Sequence, residues 1–258
     1  MKHCKILDLD IEYIDIAATE PGRPTLVLLH EGLGCVAMWR DFPRKLAAAS
    51  GGRVLAYSRP GYGGSQAYVS ARTPRYMHHE AEVVLPALLA ELAIEAPILV
   101  GHSDGGSIAL IHAAAYPQGP QAIAVMAPHE FVEEETLAGI RKACEVWQTT
   151  DWPQKLARYH RDAARVFADW SDTWLSPAFR DWNIEACLAS IRCPVLAMQG
   201  LGDEYATLRQ IDVIAEESVS VELLKLPDCG HSPHKDQEAA VLAALVGFVD
   251  RVSGSCRK

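Results

Sequence analysis

The chain has 258 residues, 49% of them hydrophobic and 22% charged, and carries a formal net charge of −9 at pH 7. That composition excludes a disordered or collagen-like chain and implies a packed core, buried in one large domain or in one domain with an insertion. The acidic balance repels phosphate backbones and anionic lipid, and no apolar run reaches the roughly 18 residues of a membrane span, so neither nucleic acid nor a membrane is expected as a partner.

The opening stretch MKHCKILDLDIEY meets acidic residues early and lacks the apolar run of a signal peptide. Seven cysteines (Cys4, Cys35, Cys144, Cys187, Cys193, Cys229 and Cys256) are odd in number and show no CxxC spacing. This argues against a disulfide framework and a zinc site, and a reduced, cytoplasmic setting is expected. Residues 6–9 and 12–17 read as a hairpin, and 25–29 and 53–57 as strands around a helix over 36–49. Apolar residues at helical spacing follow over 74–92, then a strand at 97–100, a helix over 103–115 and a strand at 122–126. Two further strands, 195–198 and 221–226, and a helix over 237–252 close the chain. Strands alternating with helices predict a mostly parallel eight-stranded sheet covered by helices on both faces.

After the sixth strand the rhythm breaks. Residues 128–190 carry helical patterns and no strand, and read as a helical cap inserted into a core formed by 1–127 and 191–258. Five of the six tryptophans (Trp147, Trp152, Trp170, Trp174 and Trp182) fall in this segment. Large aromatic side chains give a small cap its own core, and some of them are candidates to wall an apolar pocket.

The stretch GHSDGG, residues 101–106, places Ser103 between two glycines where a strand passes directly into a helix. A turn that sharp has no room for a β-carbon at Gly101 or Gly105, and it lifts the serine hydroxyl above the carboxyl edge of the sheet. Unpaired N–H groups of the helix start point at the same place. A serine hydroxyl needs a base, and the base needs an acid to hold its tautomer. Asp203 in QGLGDEY and His231 in DCGHSPH both follow late strands, whose carboxyl ends share an edge with Ser103. Asp228 and His234 are the rivals for these roles. The main-chain N–H groups of Asp104 and Gly32, the latter in the glycine-rich corner LLHEGLG, are the expected donors to a developing oxyanion.

The stretches LLHEGLG, SRPGYGGS, VGHSDGGS, PVLAMQGLGDEY and LPDCGHSPH together resemble the α/β-hydrolase fold family, over nearly the whole chain. Within it the chain is similar to small bacterial esterases, enol-lactonases and carbon–carbon bond hydrolases. The resemblance implies a Ser103, His231, Asp203 triad, an oxyanion hole from Gly32 and Asp104, and a cap over the pocket. Two departures stand out. Glu31 follows His30 where relatives have glycine, so its carboxylate either turns to a neighbouring side chain or meets a cationic or hydroxylated substrate. Ser58 stands where many relatives carry aspartate, a matter of turn structure.

The expected activity is hydrolysis of a small carboxylic ester or lactone through an acyl-enzyme, without metal or organic cofactor. Carbon–carbon bond hydrolysis of ring-cleavage products is the second reading. A non-enzymatic ligand receptor and a cofactor-independent oxygenase are further ones. Trp39 and Glu31 are the candidate substrate-binding residues for an apolar or aromatic small molecule. Arg59, Arg158, Arg161 and Arg165 are candidates for holding a carboxylate. A monomer or homodimer is expected.

Overall fold

The structure, a computed structural model, describes residues 1–68 and 72–255. Cys256 lies outside them, and the other six cysteines are free thiols. Strands β1 (Lys2–Ile6) and β2 (Leu9–Ile16) form an antiparallel hairpin. The expected first strand over 6–9 is the hairpin's turn, because Leu7 and Asp8 adopt φ of 50° and 62°, which reverses the chain between two flanking pairs. Next come β3 (Thr25–Leu29), α1 (Phe42–Ser50) and β4 (Arg53–Tyr57).

The helix expected over 36–49 is divided. Val36–Trp39 forms a 3₁₀ turn, Arg40 breaks it at φ 54°, and α1 restarts with Pro43 in its first turn. The stretch after it comprises α2 (Tyr76–His79), a π-helical turn (Glu80–Val84) and α3 (Leu85–Glu91). Pro86 explains the widening, since it supplies no N–H to the preceding turn.

The chain continues through β5 (Ile98–His102), α4 (Asp104–Ala115) and β6 (Ala122–Met126). The segment that follows holds α5 (Glu134–Thr149), α6 (Trp152–Leu156), α7 (Ala163–Leu175) and α8 (Glu185–Leu188). Its extended pairing among the described residues is one isolated bridge between Phe131 and Asn183. Then come β7 (Val195–Gly200), α9 (Arg209–Glu217), β8 (Val221–Leu226), α10 (Pro233–Asp236) and α11 (Glu238–Ser255). Helix α9 went unread in the sequence, although two parallel strands demand a crossover and Ile211 and Ile214 lie on one buried face.

The eight strands are ordered β1-β2-β4-β3-β5-β6-β7-β8, parallel from β4 onward. Alternation within a strand divides the core. Leu26 and Leu28 pack toward α1 and α11 with Leu46 and Phe248, while Val27 and Leu29 pack to the opposite face with Leu85, Leu88 and Ile108. Burying side chains of this size stabilises by about 1.5–3 kcal/mol each. The rigid sheet therefore fixes where the ends of β3, β5, β6, β7 and β8 lie. Among the described residues no helix is long and apolar enough to cross a membrane.

Candidate active site

At the end of β5 the backbone turns sharply into α4, and Ser103 sits at the corner with φ 52° and ψ −121°. A non-glycine residue there is strained by about 1–3 kcal/mol, and the neighbours show what holds it. The Ser103 N–H donates to the Met126 carbonyl at 2.9 Å, while its own carbonyl accepts from the N–H groups of Gly106 at 2.7 Å and Ser107 at 3.1 Å. A β-carbon on Gly101 would stand 2.2 Å from the Gly105 carbonyl oxygen, and one on Gly105 would stand 2.0 Å from that of Leu29. Both obstacles are backbone, so both positions require glycine.

Two later loops bring the partners. His231 Nε2 lies 2.9 Å from Ser103 Oγ, and His231 Nδ1 lies 2.9 Å and 3.0 Å from the two carboxylate oxygens of Asp203. The carboxylate also accepts from the Tyr205 N–H at 2.9 Å and from Gln199 Nε2 at 3.2 Å. Burial pushes the Asp203 pKa up, but the hydrogen bond and charge of His231 outweigh it, and the net pKa falls below the usual carboxylate range. With Asp203 ionised, Nδ1 carries the proton and Nε2 is free to accept from the serine.

The His231 main chain is pinned at both ends. Its N–H donates to Glu204 Oε2 at 3.0 Å and its carbonyl accepts from His102 Nε2 at 2.7 Å. The rivals take other places. His234 is packed between Trp39 and His102, with ring centroids 4.8 Å and 4.7 Å away, and burial holds its pKa well below the ordinary value. Asp228 is a turn residue with φ 49°.

The corner after β3 is organised by a buried network. The Glu31 carbonyl accepts from His30 Nδ1 at 2.7 Å and from Arg59 Nη2 at 2.9 Å. The Arg59 N–H donates to His30 Nε2 at 3.0 Å, which fixes the tautomer, and burial keeps His30 neutral by pushing its pKa well down. In a trans peptide the Gly32 N–H points opposite to the Glu31 carbonyl, so these bonds turn it away from Arg59. Arg59 Nη2 also reaches Asp104 Oδ2 at 3.3 Å, and that oxygen accepts from the Tyr76 hydroxyl at 2.8 Å. Among the described residues no hydrogen bond engages the Gly32 or Asp104 N–H.

A cavity of about 260 Å³ opens onto Ser103 and His231 and is lined among others by Gly32, Glu31, Lys235, Ile140, Trp170 and Trp174. Trp170 lies against the corner: a β-carbon on Gly32 would meet its indole at 2.6 Å. Glu31 pairs with neighbouring side chains, one of the two roles the sequence allowed. It faces the cavity, and its carboxylate lies 3.5 Å from His102 Nδ1 and 3.7 Å from Lys235 Nζ. Burial would raise its pKa, but these neighbours hold it well below the ordinary value. Gly34 makes room for it, since a β-carbon there would sit 2.4 Å from Glu31 Oε2.

Trp39 requires a correction. It is 3% exposed, stacks on Phe42 at 5.8 Å and does not line the cavity, because the 3₁₀ turn points it into the core beside α1. The cavity lining contains no arginine among the described residues. Arg59 is wholly buried beneath it, and Arg165 instead bonds the Tyr68 carbonyl and faces Asp169. Ser58 is structural, as expected: its hydroxyl donates to buried Glu12 at 2.5 Å and accepts from the Val36 N–H at 3.0 Å. Sequence reading leaves His102 and Thr136 unassigned and treats His129 as an ordinary surface or satisfied core histidine, yet all three line the cavity. His102 adjoins the serine and His129 follows β6 closely, a position that could have marked both.

An eight-stranded, mostly parallel sheet with serine, histidine and aspartate side chains meeting at its carboxyl edge defines a hydrolase of the α/β class. Residues 26–245 match the model of the alpha/beta hydrolase family, and the chain belongs to that family. It is similar to a 2-succinyl-6-hydroxy-2,4-cyclohexadiene-1-carboxylate synthase of Enterobacter sp. (strain 638), 26% identical across 88% of this chain and 92% of that protein. A 2-hydroxy-6-oxononadienedioate/2-hydroxy-6-oxononatrienedioate hydrolase of Paraburkholderia phymatum is 32% identical over half of this chain (50%) and 45% of its own length. The crystal structure of the enol-lactonase from Burkholderia xenovorans LB400 shares the fold at a TM-score of 0.75 and 19% identity, covering 96% of this chain and 100% of that one.

Proposed function

We propose that the chain is a serine hydrolase that cleaves a small carboxylic ester or lactone through an acyl-enzyme. The observation that carries this reading is the unbroken relay from Asp203 through His231 to Ser103, with both links at 2.9 Å. Ser103 Oγ attacks the carbonyl carbon as His231 Nε2 takes its proton, and Asp203 stabilises the imidazolium. The oxyanion rests on the N–H groups of Gly32 and Asp104, where losing one donor typically costs about 2.7–4 kcal/mol. The tetrahedral intermediate collapses, His231 returns the proton to the departing oxygen, and water repeats the sequence to release the acid.

Residues 128–190 act as a cap in this reading, with Trp170 and Trp174 excluding water from the reacting carbonyl. Their apolar faces favour an apolar or aromatic small molecule. The resemblance to a protein named for hydrolysing an oxo-dienedioate supports carbon–carbon bond cleavage as the second reading.

The test is hydrolysis of a panel of short-chain p-nitrophenyl and aryl esters by the wild type and by Ser103→Ala, with a phosphonate as covalent label. Repeated turnover, label on Ser103 and a loss of several orders of magnitude in the variant are expected. Activity surviving in Ser103→Ala, or neither cleavage nor labelling, would overturn the reading in favour of a receptor or an oxygenase. Oxygen consumption separates those two.

A further inference from the structure

Among the described residues, His129 Nδ1 and Thr136 Oγ1 in the cavity wall are buried polar atoms without a hydrogen bond, as is His102 Nδ1, which faces the Glu31 carboxylate at 3.5 Å. His129 is 3% exposed and Thr136 1% exposed, and both line the cavity that holds Ser103. Such atoms are costly in a folded interior unless a bound molecule satisfies them. Neither is a loose surface group. The His129 N–H donates to Ser107 Oγ at 3.0 Å, the Ser107 hydroxyl donates to the His129 carbonyl at 2.6 Å, and the imidazole stands edge-on to Trp174 at 5.1 Å. Thr136 belongs to the first turn of α5, where a threonine hydroxyl often returns to nearby backbone; this one does not.

The tautomer of His129 decides what the site accepts. Its Nε2 faces the Tyr205 carbonyl oxygen at 3.4 Å, and a carbonyl can only accept, so Nε2 carries the hydrogen and Nδ1 presents a lone pair. Burial, reinforced by the neighbouring His231, lowers its pKa to about 4, so the ring is neutral at physiological pH. A lone pair requires a donor. A ketone, ether or carboxylate offers none, whereas a hydroxyl can donate to Nδ1 and accept from a threonine hydroxyl.

We infer that His129 and Thr136 form a specificity subsite for a hydroxyl group of the substrate, so that the preferred ester or lactone is a hydroxylated one. As a substrate subsite it rests on the serine-hydrolase reading above, and it narrows that reading to one substrate class.

The probes are phenyl hexanoate, its derivatives hydroxylated at the second, third or last carbon, and the terminal amino analogue. Binding to Ser103→Ala is measured by calorimetry and turnover is measured with the wild type. At least one hydroxy ester is expected to bind about tenfold or more tightly than phenyl hexanoate, because its absence leaves buried polar atoms unpaired. That ratio should fall to about twofold or less in His129→Phe and in Thr136→Val, each made in the Ser103→Ala background; either variant suffices if the other does not fold. No hydroxyl preference, a preference untouched by the substitutions, or preference for the amino analogue would overturn the subsite. Selective binding without turnover would sink the hydrolase reading alone, and turnover without selectivity would sink the subsite alone.

Discussion

Arg59 Nη2 donates to the main-chain carbonyl of Glu31 at 2.9 Å, and the same nitrogen reaches the carboxylate of Asp104 at 3.3 Å. One buried guanidinium thus touches both segments whose N–H groups are proposed to bind the oxyanion. Arg59→Met removes one of the three hydrogen bonds that hold the Glu31–Gly32 peptide and leaves Asp104 buried with the Tyr76 hydroxyl. We expect kcat to fall about tenfold or more with a smaller change in KM, since part of one donor's contribution is lost. Unfolding in urea should show a loss of about 3–5 kcal/mol, typical of an uncompensated buried charge. A raised KM with unchanged kcat would contradict the positioning role.

Asp203 holds the proton of His231 on Nδ1 through two contacts, at 2.9 Å and 3.0 Å. An amide at that position can donate to Nδ1 and place the proton on Nε2, facing the serine. Asp203→Asn should therefore lower kcat by a factor on the order of 10⁴ without unfolding the chain. Steady-state kinetics beside a circular dichroism melt check this, and a loss below about tenfold would exclude Asp203 as the orienting acid.

Glu31 keeps its negative charge at the cavity wall, where Lys235 at 3.7 Å offsets it only in part. Glu31→Gln removes that charge. Esters carrying a second carboxylate should gain about tenfold in kcat/KM relative to neutral esters, the ratio that follows from about 1.4 kcal/mol of relieved repulsion. Equal effects on charged and neutral esters would show that the carboxylate serves only to hold His102.

Glu80 is buried in the π-helical turn, and burial raises its pKa from 4.5 to about 7, against the opposing charges of Arg59 and Arg72. The folded state therefore binds more protons than the unfolded state between these values, and stability falls as pH rises through that window. Below pH 4.5 both states are protonated and the penalty vanishes; above pH 7 it is fully present. The shift corresponds to about 3 kcal/mol, to order of magnitude. Glu80→Gln should flatten this dependence, seen as a smaller difference in urea midpoint between acidic and alkaline buffer than in the wild type.

Much of the architecture was legible because it depends on near neighbours. Alternating Leu26, Val27, Leu28 and Leu29 reads as a strand buried on both faces, and the glycines around Ser103 report a turn that only glycine can make. Elements failed where a local exception intervened. The left-handed Leu7 and Asp8 moved the first hairpin, Arg40 divided one helix, and Pro86 follows the π-helical turn that interrupts another. None of these has a reliable signature in composition.

Taken by itself, the sequence determined the α/β class, the turn that presents Ser103, and the loops that carry Asp203 and His231, since each follows from short-range sterics and from the direction of parallel strands. Tertiary structure alone decided which other side chains share the cavity. It sent Trp39 into the core and set Glu31 beside His102 and Lys235. It also placed Arg59 under the corner after β3 and left His129 and Thr136 facing the same space. The physical reason is that these contacts join residues far apart in the chain or on different elements. Their energies arise only once the sheet has fixed the distances between its strand ends and the helices above them.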